Sequence, residues 1–264
     1  MPYKDRTIKD FGKQWLRYPD NEGYYGSLEL LADILSPFLK IDELKNSRVA
    51  EIGSGTGRII NMLLQSDVKH VVAVEPSDSF EVLARNIRNS ERVTCLKTTG
   101  DQLPPYGDLD YVFSIGVLHH IPDPKPVVGA AFRALRPGGQ FLLWLYGKEG
   151  NEPYLALIKP LRVLTRPLPH LALASLVWLI YHSLNLYIRL CHRFQLPLRE
   201  YLLSIFDKMS PEKRRLIIYD QLNPAYAKYY TRQEAIKLLE DKGFVNVRIH
   251  HRHEYSWTVI GTKP

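Results

Sequence analysis

The residues Glu51-Ile52-Gly53-Ser54-Gly55-Thr56-Gly57-Arg58 combine an acid with glycines at positions 1, 3 and 5 of one loop. Glycines so spaced let a backbone turn tightly and approach a ligand closely. A dinucleotide fingerprint places its third glycine at position 6, seating a pyrophosphate on a helix N-terminus. Here position 6 is Arg58. Glu51 would repel a pyrophosphate and suits a cationic amine. Glu75-Pro76 follows, 18 residues beyond Gly57, where a carboxylate can accept both hydroxyls of a ribose. In Gly100-Asp101-Gln102-Leu103 the acid can accept the exocyclic amine of an adenine, and Leu103 can cover the ring.

A second group of residues could act on protons. His119 and His120 follow an apolar run, and imidazole titrates near neutrality, so both are candidate general bases; a structural role in holding the loop is the competing reading. His250, His251 and His253 cluster near the C-terminus, where strand alternation puts 251 and 253 on one face. A metal site would need more ligands than this pattern offers, so no metal is expected and His251 is kept as an acceptor contact. Tyr226, Tyr229 and Tyr230 are candidates to face an acceptor, with packing the alternative. Trp15 and Tyr25 are candidates for a flap over the ligand. Leu103-Pro104-Pro105-Tyr106 is similar to the signature of amino-methylating nucleic-acid enzymes, but leucine replaces its polar residue and it precedes the strand it should follow.

These residues need elements to hold them. Short apolar runs at 48–52, 70–74, 92–97, 110–115 and 140–146 alternate with helical periods at 57–64, 79–89 and 126–135. Repeated βα units of this length predict a Rossmann-like, doubly wound, mostly parallel sheet. The runs 244–251 and 254–262 are separated by few residues and predict a closing hairpin with one antiparallel strand, for seven in all. Thr231-Arg232-Gln233-Glu234 is a capping box opening a last helix. Upstream, 28–39 has a helical period that Pro37 bends near its end.

The chain has 264 residues, 45% hydrophobic and 24% charged, which excludes disorder, collagen and a disulfide scaffold. Its two cysteines, Cys95 and Cys191, are far apart and in no ligand pattern, which suits a reducing compartment. The net charge of +7 divides as −1 over 1–150, +5 over 151–224 and +3 over 225–264. The middle segment is rich in Leu, Tyr and Ile and broken by prolines, and it predicts a helical cap inserted in a more regular protein. No signal peptide is expected from the polar start. Leu171 to Leu190 has too few apolar residues before His182, Ser183 and Asn185 for a span, which predicts a buried or interfacial helix.

Glu51 to Arg58, Glu75, Asp101, Leu118-His119-His120-Ile121-Pro122-Asp123 and Leu135-Arg136-Pro137-Gly138-Gly139, in this order and spacing, resemble the motifs of class I S-adenosylmethionine-dependent methyltransferases. The resemblance covers 48–146 and the closing helix and hairpin. It implies that Gly53, Ser54, Gly55 and Gly57 wrap the methionine portion, that Glu51 faces its amino group with Ile115 and Gly116 completing that site, that Glu75 and Pro76 hold the ribose, and that Asp101, Gln102 and Leu103 hold adenine. Many members have Asp at position 51 and Cys at 54. Phe11-Gly12-Lys13-Gln14-Trp15 and Tyr219-Asp220-Gln221-Leu222-Asn223-Pro224-Ala225-Tyr226 more loosely resemble a bacterial subgroup that methylates glycans or secondary metabolites.

The resulting expectation is an N-terminal helical segment or flap over 1–47, a cofactor domain over 48–147 and 225–264, and a mostly helical acceptor cap over 148–224. The expected reaction is methyl transfer to oxygen or nitrogen of a small-molecule, glycan or lipid-linked acceptor in the cytoplasm. Peripheral membrane contact would run through 155–199, with Arg162, Arg166, Arg189 and Arg193 on the polar side of the cap. Nucleic acid is not expected; its binding through the basic insertion is the competing reading, and a nicotinamide oxidoreductase is disfavoured by Arg58.

Overall fold

The run Arg48–Ile52 is buried from Val49 onward and forms β1 at the centre of a seven-stranded sheet. The computed structural model describes residues 2–87, 90–165, 168–222 and 226–264. Around β1 lie β2 (His70–Val74), β3 (Val93–Leu96), β4 (Leu109–Ile115), β5 (Leu135–Tyr146), β6 (Val245–Arg252) and β7 (Ser256–Thr262), in the order β3-β2-β1-β4-β5-β7-β6. The first five are parallel, and β7 pairs antiparallel with both β5 and β6. The expected fold is therefore found, including the antiparallel hairpin.

Alternation along the strands fills two separate layers of core. Ala50, Ile52, Val72 and Val112 pack with Val127 and Ala131 of α5 (Lys125–Ala134) and with Leu239 of α10 (Arg232–Glu240). Their neighbours Val49, Val71, Ala73 and Phe113 pack on the opposite side with α2 (Leu28–Leu35) and α3 (Arg58–Gln65). The capping box of α10 forms as expected, with the Thr231 hydroxyl accepting from the Glu234 N–H and the Glu234 carboxylate accepting from the Thr231 N–H.

The elements differ locally from their expected bounds. The helix α2 stops at Leu35 instead of bending, because Ser36 precedes Pro37 and is pushed into extended backbone. The strand β5 begins at Leu135 and passes through Pro137-Gly138-Gly139, with Gly138 at φ +76°. The N-terminal segment opens with a helix, α1 (Pro2–Arg17). The helix α4 (Phe80–Asn86) ends ahead of Arg88 and Asn89, which lie outside the described residues.

The cap leaves and rejoins the sheet at one point. Gly147 and Tyr230 form a parallel bridge, with the Tyr230 N–H donating to the Tyr146 carbonyl and the Lys148 N–H to the Tyr230 carbonyl. Between them run α6 (Glu152–Thr165), α7 (His170–Cys191), α8 (Arg199–Tyr201) with a π-helical turn over Leu202–Phe206, and α9 (Pro211–Leu222). They enclose their own core, built on Leu173, Val177, Ile188, Phe206 and Ile218. The helix α7 corrects the sequence reading on two counts. His182, Ser183 and Asn185 do not interrupt it: the Ser183 hydroxyl bonds back to the Leu179 carbonyl, Asn185 Oδ1 accepts from Arg214, and the His182 ring rests against Trp178. Its stretch Leu171–Cys191 is long and apolar enough to cross a membrane by length and composition, and 17% of its most apolar 18-residue window is buried.

Candidate active site

The glycine loop closes tightly on the end of β2. Gly53 and Ser54 N–H groups both donate to the Val74 carbonyl, at 2.8 and 3.0 Å. Gly53, Gly55 and Gly57 have φ of +82°, +54° and +83°, where a side chain would be strained. A Cβ on Gly53 would also come within 2.4 Å of Val117. Beneath the loop lies Glu51, buried, with Oε2 enclosed and without a hydrogen-bond partner. Burial pushes its pKa up to about 8 against the pull of Arg58. An orphaned buried carboxyl under a glycine cradle fits a group that brings its own cation, such as the amino group of S-adenosylmethionine.

Glu75 faces the same loop. Its Oε2 accepts from the Gly55 N–H at 2.8 Å and its Oε1 from the Ser77 N–H at 2.9 Å. Each oxygen keeps a lone pair for a ribose hydroxyl. Pro76 is half-buried beside it, and Asp101 is half-buried in the short turn Gly100–Gln102. The Thr98 hydroxyl donates to Gln102 Oε1. Leu103 differs from expectation: it is 2% exposed and belongs to the core beside Val127, so its side chain is not presented to a ligand here.

The N-terminal segment covers this loop. A Cβ on Gly12 of α1 would lie 3.1 Å from the Asp78 N, so the missing side chain lets the helix lie close to the turn after Glu75. Trp15 lies over Gly55, with its indole nitrogen 3.5 Å from where a Cβ would be. Asn21 clamps Thr56 with two hydrogen bonds of 2.6 and 3.0 Å. The Tyr25 ring lies between the guanidinium of Arg58, at 4.4 Å, and the ammonium of Lys213, at 4.9 Å.

Beyond the loop a cavity of about 610 Å³ opens between the sheet and the cap. It meets the cofactor loop at Ile115, Gly116, Trp15 and Arg58, and its far walls are Ile158, Leu161, Ile180, Leu184, Leu202 and Phe206. The predicted residues divide around it. Trp15, Tyr25, Ile115, His120 and Tyr229 line it. Tyr226 supplies its carbonyl, which accepts from His120 Nδ1 at 2.7 Å and so leaves Nε2 as the basic nitrogen. Burial lowers the His120 pKa to about 4, which keeps it neutral and a weak base.

His119 and His251 lie away from the cavity. His119 is fully buried, stacked on Tyr146 at 3.8 Å, and held neutral by burial. His251 stacks on Trp257 at 4.2 Å, and its Nε2 bonds to the Glu149 carbonyl. Its neighbour His253 bonds to Asp33.

Two groups escaped sequence reasoning. Asp220 of α9 lines the cavity, and its Oδ1 is enclosed without a hydrogen-bond partner. Burial raises its pKa to about 8, with Gln14 and Lys213 pulling the other way. A signal existed, since Asp220 stands four residues after the buried Leu216, on the inward face of α9. The second group is Arg162. It is expected on the polar side of the cap, yet it is buried and donates to the Gln221 carbonyl, to Gln221 Oε1 and to the Tyr229 hydroxyl at 2.7, 3.0 and 3.0 Å. These three hydrogen bonds offset part of the cost of burying the guanidinium. Arg189 and Arg193 are exposed as expected, and Arg166, Asn223, Pro224 and Ala225 lie outside the described residues.

Strand order, glycine cradle and orphaned acid define a Rossmann-like methyltransferase fold. Residues 50–143 match the family model described as a methyltransferase domain. A methyltransferase from Mesorhizobium loti, titled S-adenosylmethionine-dependent, aligns with a TM-score of 0.53 at 14% identity, covering 90% of this chain and 98% of that one. The apo methyltransferase SibL aligns with a TM-score of 0.53 at 16% identity, covering 90% of this chain and 55% of that one. Residues 50–143 are thus a methyltransferase domain, and the chain shares the fold of these S-adenosylmethionine-dependent methyltransferases.

Curated relatives include proteins named tRNA U34 carboxymethyltransferase. That of Pseudoalteromonas atlantica is 32% identical over 115 residues, covering 42% of this chain and 36% of its own length. That of Shewanella loihica is 34% identical over 116 residues, covering 42% and 35%. The match thus spans about a third of the curated relatives' length.

Proposed function

We propose that this chain transfers a methyl group to an oxygen or nitrogen of an acceptor whose apolar part fills the cavity under the cap, as in a small molecule or a lipid-linked glycan. The carrying observation is Asp220: a carboxyl with an unpartnered oxygen, in an apolar cavity that ends at Ile115 and Gly116. When bound, S-adenosylmethionine supplies a methyl group on a sulfonium. The glycine cradle and Glu51 hold that group, Trp15 and the cap exclude water, and the cavity holds the acceptor in line with the methyl. In the displacement that S-adenosylmethionine would support, the acceptor's bond to the methyl carbon would replace the carbon–sulfur bond, whose electron pair would stay on sulfur, and the cavity residues would hold the acceptor for it. The acceptor's proton passes to the Asp220 carboxylate, with His120 Nε2 as the weaker alternative.

The relatives named for tRNA support a second reading, in which the basic cap and C-terminal strands, +5 and +3, approach a nucleic-acid backbone. One experiment separates the two. The protein is given methyl-labelled S-adenosylmethionine with either a small-molecule and lipid extract or total tRNA. Label in the organic phase, absent with Asp220→Asn, is the expected result. Label in tRNA alone, with binding that falls steeply as salt rises, would replace the first reading with the second.

A further inference from the structure

The outer face of the cap is apolar where a soluble protein's surface is mostly polar. On α7, Leu171, Trp178, Leu179 and Leu186 stand on one side, with Leu171 81% and Trp178 57% exposed, while Leu173, Val177 and Ile188 on the other side are buried in the cap. On α6, Leu157 and Leu164 are also left in water, at 71% and 68% exposed. Contiguous apolar surface of this kind marks a face that meets something apolar.

The charge beside it says what. Between Glu152 and Glu200 the chain has six Lys and Arg and no acid. Lys159 and Arg189 are exposed on these helices, and Arg193 in the turn after α7. An apolar face flanked by cations and free of anions complements an anionic bilayer surface, where apolar side chains enter the acyl boundary and cations meet phosphates. A second copy of the chain fits less well, because it would bring two cationic faces together with no acid on either to pair them. Since the inner side of α7 packs on the cap core, the helix lies along the bilayer instead of crossing it. Leu157 also lines the cavity, so the apolar surface runs from the outside into the acceptor site.

We propose that the outer face of α6 and α7 lies on the interface of an anionic bilayer, with the cavity mouth beside Leu157 open to it, so that a lipid-linked acceptor enters from the membrane. The docking stands on the surface alone; what enters rests on the acceptor reading above.

The test is flotation of the full chain with vesicles of phosphatidylglycerol and phosphatidylcholine, against phosphatidylcholine alone. The chain is expected to float with the anionic vesicles, and Trp178 emission to shift to the blue, a shift that Trp178→Phe removes. The double variant Leu179→Glu with Leu186→Glu changes only exposed positions and should abolish flotation. Arg189→Glu with Arg193→Glu should weaken partitioning by about tenfold or more. Both doubles should bind S-adenosylmethionine as the parent does, which shows that they fold. Absence of flotation, or flotation that neither double weakens, overturns the docking. So does a dimer in sedimentation that Leu179→Glu with Leu186→Glu dissolves while vesicle binding is absent, which would assign the face to a second copy. Vesicle binding without label in any lipid would refute the acceptor reading and leave the docking intact.

Discussion

Glu51 and the outer face of α7 are both unpaired, in opposite senses. Glu51 is a polar group enclosed where water cannot reach it, with one carboxyl oxygen unpartnered and a pKa raised to about 8. The face of α7 is apolar surface left in water, with Leu171 81% exposed. Each is costly until something binds, and each cost points to the chemistry that would remove it: a small cation for the first, an apolar surface for the second. Asp220 lies between them, in the cavity that joins the two regions, and shares the cofactor site's kind of unpaired group.

If the two regions divide binding from acceptance, variants should separate the two. The largest effect is expected from Asp220→Asn, which should lower turnover by about 10²–10⁴-fold and leave S-adenosylmethionine binding unchanged in calorimetry. An equal loss in both would return Asp220 to the cofactor side. Next, Gly55→Arg puts a side chain at φ +54° under Trp15 and should weaken cofactor binding by about a hundredfold.

Removing Arg162 should act on the cap only. Arg162→Met leaves the Gln221 carbonyl, its side-chain oxygen and the Tyr229 hydroxyl short of a donor, and should cost about 1–3 kcal/mol in denaturant unfolding. Cofactor affinity in the folded variant should stay as in the parent.

Glu51→Gln should weaken cofactor binding by roughly tenfold and flatten its pH dependence. The sign follows from the raised pKa. Folded and empty, the protein keeps a proton on Glu51 that the unfolded chain loses near pH 4.5, so this group's contribution to stability falls as pH rises from there to about 8. A cationic ligand favours the ionised form, so binding expels that proton below pH 8. Affinity in the parent should therefore rise with pH up to about 8, by at most about tenfold per unit. The smallest effect is expected from Leu171→Ser, within about 0.5 kcal/mol of the parent in thermal unfolding, because the side chain packs on nothing the fold needs.

The cofactor half was legible because its signals are local. A βα rhythm, a glycine loop whose φ values only glycine takes easily, and a capping box each lie within a few residues, and the structure reproduces them. His119 shows where such reading stops. Its type and its place after β4 suggest a base, but Tyr146, 27 residues away, stacks on it inside the core. Leu103 is alike, turned inward by α5 and the core around it. Arg162 reads as a surface cation on a basic helix and is buried by partners at 221 and 229.

By itself the amino-acid sequence determined the strand order's raw material, the acid-and-glycine cradle and the methyltransferase domain, since these depend on residue types at short spacing and on backbone conformations few residues tolerate. Only the tertiary structure decided which titratable groups meet the cavity and which face of α7 is left without a partner. Burial and pairing are set by segments up to about two hundred residues apart, as when α1 closes over Asp220. A carboxyl's role then follows from the water and the charges that packing removes or brings, and neither is encoded near it in the chain.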